Sequence, residues 1–246
     1  MSEQEQQPVV WGVIGCGAIA THAVAPAILW SEWSDLYAIG SRNIARAEEK
    51  CREVKARQAY GSYEELLADD LIEAVYLGLP NGLHEEWVVK AAQAGKHILC
   101  EKSLALSTAS TARMVDAARQ NGVLLAEAYM YRHHPQWDIV RQTLAEHKIG
   151  DVRVVRAGLS GMLEDTLNHR WSANLGGGAL YDVTCYGINL ARFIFGQEPH
   201  SAVAMADTST KEQVDHTSSA VLDFGYGRTA MVTGRLSPYN HRICEI

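Results

Sequence analysis

Four side chains in this 246-residue sequence have the type and setting for proton or hydroxyl chemistry. Lys102 directly follows an apolar run that ends at Cys100, within Glu101-Lys102-Ser103. An ammonium held at the mouth of a sheet beside a cationic ligand has a lowered pKa and can share or relay a proton. The alternative is an ordinary solvated lysine. Farther along, Gly176-Gly177-Gly178 precedes a helix-like stretch carrying Asp182, Tyr186 and Asn189. They stand at i, i+4 and i+7, on one face of a regular helix. Three hydrogen-bonding side chains on one stripe suit a polyol, and a tyrosine there exchanges a proton where a cation favours its phenolate. A solvent-facing polar stripe around a half-buried tyrosine fits the spacing equally well.

A second constellation suits a dinucleotide. Gly15-Cys16-Gly17-Ala18-Ile19-Ala20 fits G-x-G-x-x-A between a strand-like run and a helix-like one. Gly15 permits a tight turn, and Gly17 lets the backbone N–H groups there and at Ala18 and Ile19 approach a pyrophosphate. A small Ala20 allows close helix–strand packing. Without that context the motif is only a glycine-rich turn. Ser41-Arg42, twenty-six residues beyond Gly15, stands where an acidic residue would bind the ribose hydroxyls of NAD. A serine and an arginine suit a 2′-phosphate instead, which favours NADP over NAD; alternatively Ser41 begins a turn and Arg42 is a surface charge. Ligands of open α/β sheets bind outside the carboxyl ends of the strands. This places Leu79, Pro80, Asn81 and His84, as well as Glu101 and Lys102, among the candidate cofactor contacts.

The elements that must position these residues can be read from apolar periodicity. Strands are expected at Val9 to Ile14, Leu36 to Gly40, Ala74 to Leu79, Lys96 to Cys100 and Val123 to Ala126. Helical spacing covers Ile44 to Val54, Ser62 to Ala68, Leu83 to Ala94 and Ser107 to Gln120. Ser62 with Glu65 forms a capping box, and Asn81 is placed to cap the third helix. Pro26 should end or kink the helix that Ala18 begins. The alternation signals a parallel sheet wound by crossover helices. After Tyr129 the texture changes. A helix at Pro135 to His147 is followed by strands at Asp151 to Ser160, Ser201 to Ser209, Asp215 to Phe224 and Arg228 to Arg235, with a helix at Leu180 to Phe195 among them. The expected fold class is therefore α/β: a Rossmann dinucleotide-binding domain over residues 1–128, then an α+β substrate domain over residues 129–246 with a largely antiparallel sheet.

Composition narrows the classes. With 47% hydrophobic and 21% charged residues the chain is globular. Its 22 basic and 29 acidic residues give a net charge of −7, which argues against general nucleic-acid binding. Five scattered cysteines make no Cys-x-x-Cys pair, so no disulfide framework or zinc site is indicated and a cytoplasmic setting fits. His84, His97, His133 and His134 have no ligand spacing, so no metal is expected. No apolar stretch approaches the ~18 residues of a membrane span.

Four separated motifs resemble the Gfo/Idh/MocA family of NAD(P)-dependent oxidoreductases: Gly15 to Ala20; Pro80-Asn81-Gly82-Leu83-His84-Glu85-Glu86-Trp87; Ala94 to Lys102; and Gly176 to Asp182. Glu127 to Pro135 adds to the likeness and points to the branch of NADP-dependent aldose (xylose) 1-dehydrogenases, dimeric dihydrodiol dehydrogenase and glucose–fructose oxidoreductase. The resemblance implies that Lys102 is the catalytic lysine of a Glu-Lys-Pro motif, with Ser103 in place of the proline and its fixed φ. It also implies that Asp182 and Tyr186 match an Asp-x-x-x-His motif, with tyrosine as the proton-transfer residue, and that Arg132 reaches the cofactor. The expected activity is hydride transfer between NADP(H) and a sugar or related polyol, with Lys102, Trp171, Asp182, Tyr186 and Asn189 as substrate contacts. Oxidation of a trans-dihydrodiol and a non-catalytic NADP sensor are the alternatives; Trp171, Tyr129 and Tyr181 could face a sugar or an aromatic ring. A homo-oligomer is expected on the same likeness. Against the family the chain is short, and the strand-like Arg242 to Ile246 is expected to be an exposed edge of a C-terminally truncated sheet.

Overall fold

The computed structural model describes residues 7–162, 168–208, 213–237 and 239–246. The chain divides into two compact units, Met1–Ala128 and Tyr129–Ile246.

In the first unit six strands form one parallel sheet: β1 (Val9–Ile14), β2 (Ser34–Gly40), β3 (Gln58–Tyr60), β4 (Ala74–Leu77), β5 (His97–Cys100) and β6 (Leu125–Glu127). Their spatial order is β3-β2-β1-β4-β5-β6, with parallel pairing throughout. The helices are α1 (Ala25–Trp30), α2 (Ile44–Val54), α3 (Tyr63–Leu67), α4 (His84–Gln93) and α5 (Thr108–Gln120). Strands buried on both faces read as unbroken apolar runs, as Ala74-Val75-Tyr76-Leu77 does. Successive side chains of a strand point to opposite faces. Accordingly Ile14, Val75 and Leu77 pack with Leu66, Trp87, Val88 and Met114 of α3, α4 and α5, while Val13 and Tyr76 pack with Ala25, Ile28 and Val54 of α1 and α2. The strand order reverses between β1 and β4, which opens the crevice where such sheets bind ligands.

Caps set several helix starts. Ser62 accepts from Glu65 N at 3.1 Å, and the Glu65 carboxylate accepts from Gly61 N at 3.2 Å, so the box closes one residue earlier than its usual form. Asn43 accepts from Arg46 N at 3.2 Å to start α2. Three details differ from the sequence reading. Asn81 does not cap α4; it opens a 3-10 turn, Asn81–Leu83, and Leu83 holds the cap position without a side-chain bond. The short edge strand β3 carries too little periodicity to be read. Pro26 neither ends nor breaks its helix, which continues to Trp30. A π-helical stretch at Ala20–Val24 precedes it, and Ala25 N bonds back to Ala20 O. Pro26 therefore falls in the first turn of α1, where a missing N–H is tolerated.

The second unit holds α6 (Gln136–Ala145), β7 (Val154–Met162), α7 (Cys185–Phe195), β8 (Ser201–Asp207), β9 (Thr217–Asp223), β10 (Thr229–Ser237) and β11 (His241–Glu245). The sheet order is β11-β7-β10-β9-β8. Three pairings are antiparallel, but the nine-residue β10–β7 pairing is parallel, so the sheet is mixed at its centre. Ser209, the expected end of the strand begun at Ser201, lies outside the described residues. One face of the sheet packs Val155, Ala157, Leu222, Ala230 and Val232 against Trp137 of α6 and Leu190 and Ala191 of α7. Leu180–Thr184 is π-helical and runs into α7. It lies so close to β10 that a Cβ at Gly234 would overlap Thr184 Oγ1.

Candidate functional site

The first part of the site lies at the carboxyl ends of the parallel strands. After β1 the chain turns at Gly15, whose φ is +102° and where a Cβ would stand 2.7 Å from Gly78 O. Both the left-handed backbone and the lack of room require glycine. Gly17 differs: a Cβ there would meet only Gly78 O, at 3.9 Å. The turn is thus closed toward the protein at Gly15 and open outward at Gly17, a cradle that a pyrophosphate can fill. Thr21 N and Thr21 Oγ1 both donate to Gly17 O, at 3.1 and 3.2 Å. The earlier N–H groups of this helix, including those of Ala18 and Ile19, are the ones a helix leaves unsatisfied and an anion can use. The side chains of Ala18 and Ile19 are exposed, whereas Ala20 is buried against the sheet.

At the end of β2, buried Ser41 donates its backbone N–H to Tyr60 O at 3.1 Å and accepts from Asn43 N at 3.3 Å through its hydroxyl. Arg42 is exposed, and its charge opposes the burial that raises the Tyr63 phenol. Sequence reasoning missed Arg46. Its guanidinium donates to Cys16 O at 3.2 Å, tying the first turn of α2 to the glycine turn. Burial raises the Cys16 thiol, opposed by the Ser41 hydroxyl and by the charges of Arg46 and Lys50. Arg42 and Arg46 therefore present positive charge around Ser41 where an acid would select NAD. The i, i+4 spacing of the two arginines was the available signal.

Beyond β4 and β5, two loops meet at one imidazole. His84, fully buried at the start of α4, points Nε2 at Leu79 O (2.9 Å) and Nδ1 at Ser103 O (3.0 Å) and Leu104 O (3.3 Å). Burial lowers its pKa, against the pull of these carbonyls. Both ring nitrogens thus face backbone carbonyls; the neutral ring donates its single N–H to one loop and packs against the other. Glu101 accepts from Tyr76 Oη at 2.7 Å and from Lys102 N at 3.3 Å. Leu104 N donates to Glu127 Oε1 at 2.8 Å. These bonds hold the half-buried Lys102 in place where Ser103 replaces the proline. Leu79, Pro80 and Asn81 line the same edge, and Leu83 N bonds to Pro80 O at 2.9 Å.

The second unit carries the other candidates. The Asp215 carboxylate accepts from Leu180 N at 2.7 Å and starts the π-helical stretch. Asp182 Oδ2 pairs with Arg170 Nε at 2.8 Å, a partner the sequence did not suggest. The Tyr186 ring meets Tyr129 edge-on at 5.5 Å and Tyr131 at 6.0 Å. Asn189 is buried and its Oδ1 accepts from Tyr131 Oη at 2.6 Å, so that atom is committed within the protein rather than held out to a substrate. The partners along the stripe differ: Tyr186 and Asn189 both meet Tyr131, and Asp182 pairs with Arg170. Trp171 packs on His216, ring centroids 4.4 Å apart. The Arg132 guanidinium lies 4.8 Å over the Phe193 ring. Among the described residues there is no cluster of His, Cys, Asp or Glu that could hold a metal, and no helix is long and apolar enough to cross a membrane.

Comparison with known proteins agrees with both units. Residues 9–129 match the model of an oxidoreductase family with an NAD-binding Rossmann fold, and residues 137–246 match the Gfo/Idh/MocA C-terminal domain. The chain is 42% identical over 222 residues to an uncharacterized oxidoreductase of Rhizobium meliloti, covering 90% of this chain and 66% of that one. It is 40% identical over 225 residues to a D-xylose 1-dehydrogenase (NADP(+)) of Haloferax volcanii, covering 91% and 68%. The chain thus spans about two thirds of the length of these curated relatives. A solved 3-ketoreductase from Actinomadura kijaniata, in complex with TDP-benzene and NADP, superposes with a TM-score of 0.89 at 33% identity, covering 95% of this chain and 71% of that one. Solved forms of that reductase include a tyrosine-to-phenylalanine variant and lysine-to-alanine and lysine-to-glutamate variants. With family models matched over residues 9–129 and 137–246, the chain belongs to the Gfo/Idh/MocA family of oxidoreductases.

Proposed function

We propose that this protein is an NADP(H)-dependent oxidoreductase acting on a carbonyl or hydroxyl carbon of a sugar or related polyol. The observation that carries the reading is the open glycine turn at Gly17 beside Ser41, Arg42 and Arg46, a cradle with positive charge where NAD sites place an acid. Gly15, Gly17 and the N–H groups of Ala18 and Ile19 would hold the pyrophosphate; Ser41, Arg42 and Arg46 the 2′-phosphate; and the Leu79 to Asn81 and Glu101 to Lys102 loops the nicotinamide end. When bound, that cofactor supplies or accepts the hydride. Tyr186 gives a proton to the reacting oxygen in reduction and takes it in oxidation, Lys102 stabilises charge on that oxygen, and Asp182, fixed by Arg170, orients a neighbouring hydroxyl.

The experiment is a panel of aldoses including D-xylose, polyols, trans-dihydrodiols and dTDP-keto sugars, read by nicotinamide absorbance with NADP(H) and NAD(H). Turnover of a sugar with NADP(H), falling by about 10²–10⁴-fold in Lys102→Ala and Tyr186→Phe with NADPH binding retained, is the expected result. Tight NADPH binding without turnover of any of these compounds would replace it with the sensor reading.

Self-association is part of the same proposal. Val203, Val221 and Met231 stand opposite one another on β8, β9 and β10, and all three are exposed, Val203 to 75% and nearby Met205 to 80%. An apolar row of this kind suits a second copy of the chain. None of Cys16, Cys51, Cys100, Cys185 and Cys244 forms a disulfide, in keeping with a reducing compartment such as the cytoplasm.

A further inference from the structure

We propose that Tyr131 and Asn189 form a positioning pair that aims the Tyr186 ring for proton transfer; this rests on the reading of Tyr186 as the proton-transfer residue. Tyr186 and Asn189 lie one turn apart on α7, and Tyr131 comes from the 3-10 turn Met130–His133. The rings of Tyr129, Tyr131 and Tyr186 form a triangle with centroid separations of 5.5, 6.0 and 6.2 Å. Two of the three contacts are edge-to-face, the arrangement that aromatic quadrupoles favour.

Together with Tyr131, Leu159, Leu190 and Ile243, Tyr186 lines a cavity of about 310 Å³. The rings of Tyr129 and Tyr131 both pack on it. Tyr129 is buried. Tyr131 is held at both ends, its ring against Trp137 at 5.6 Å and its hydroxyl on Asn189 Oδ1 at 2.6 Å. Burial keeps the Tyr131 phenol protonated, so it remains a donor. Tyr131 and Asn189 therefore act through Tyr186, and no substrate contact is asked of either.

The test is a double-mutant cycle of Tyr131→Phe and Asn189→Leu, with Tyr186→Phe alongside. Each single change leaves one buried polar group unpaired, whereas the double change removes both. A purely structural pair predicts that the double variant regains thermal stability and turnover together. Positioning predicts that stability returns while kcat with D-xylose and NADP stays about 10-fold down at unchanged KM, a loss of the size expected for a slightly misplaced catalytic group. If the singles do not fold, the double variant still reads the outcome. A second readout needs no substrate: in protein carrying ¹³C-labelled tyrosine, the ring signal lost in Tyr186→Phe should broaden or split in the double variant. An unchanged Tyr186 signal, or wild-type kcat in the double variant while Tyr186→Phe is impaired, overturns the pair alone. Full turnover by Tyr186→Phe overturns the reading of Tyr186 itself.

Discussion

Replacing His84 with leucine tests both the geometry and the electrostatics of the junction where the two loops meet. The side chain is fully buried, and three carbonyls converge on its two nitrogens. A neutral imidazole has one N–H, so His84→Leu removes one donated bond and leaves a buried carbonyl unpaired, a cost of about 1–3 kcal/mol. In a chain of this size that lowers the unfolding midpoint by roughly 3–10 °C. Burial depresses the folded-state pKa below the ordinary histidine value. The neutral form is then favoured in the folded state, and the unfolded chain takes up the proton first as pH falls. Wild type should lose stability from about pH 6.5 downward, toward the depressed folded value, by at most about 1.4 kcal/mol per pH unit from this one group. The variant lacks that loss, so the stability gap between the two proteins should narrow on going from pH 7.5 to pH 5.5. Urea unfolding at both values measures the gap. If the gap widens in acid, the converging carbonyls outweigh burial and hold the ring as imidazolium, and the reasoning is refuted.

Gly17→Ala should leave the fold intact, since its Cβ would meet only Gly78 O, at 3.9 Å, and should weaken NADPH binding by crowding the pyrophosphate; Gly15→Ala, by contrast, should lower thermal stability, because its Cβ meets Gly78 O at 2.7 Å in a left-handed backbone. Isothermal titration and melting curves on the two variants separate these effects. Arg46→Ala should weaken NADPH binding about 10–100-fold, the worth of a lost charge-assisted bond, and NADH binding much less. Ser41→Asp combined with Arg42→Ala should move preference toward NAD; unchanged NADPH affinity would defeat the 2′-phosphate assignment. Val203→Lys with Met205→Lys should shift the protein to a smaller species in sedimentation if the exposed row on β8 to β10 is where copies meet.

The first unit is legible in the sequence because its signals are local. Val9 to Ile14, Gly15 and Gly17 form a strand and a turn whose chemistry depends on residues within a few positions. Arg46 is not legible in that way, because only the winding of α2 brings its guanidinium back to Cys16 O. Tyr186 could be chosen by type, but its surroundings could not. The i, i+4, i+7 spacing names the residues of the stripe but not their partners, because Arg170 lies twelve residues before Asp182 and Tyr131 fifty-eight before Asn189. His84 was rightly drawn to the strand edge by its position after β4, yet the direction of its ring depends on Ser103 and Leu104, nineteen and twenty residues away.

The parallel pairing of β7 with β10 also bears on how the chain is made. Every pairing β7 forms is with a strand that emerges from the ribosome much later: β10 begins at Thr229 and β11 at His241. The first unit, whose strands pair over shorter stretches of sequence, can close while the second is still being translated. β7 then waits about 75 residues, roughly 4–15 s of synthesis, with both edges bare. Unpaired apolar edges recruit other chains. The second unit is therefore the part of the nascent protein whose strand edges stay bare longest, and slowing translation between residues 163 and 228 should lower its soluble yield.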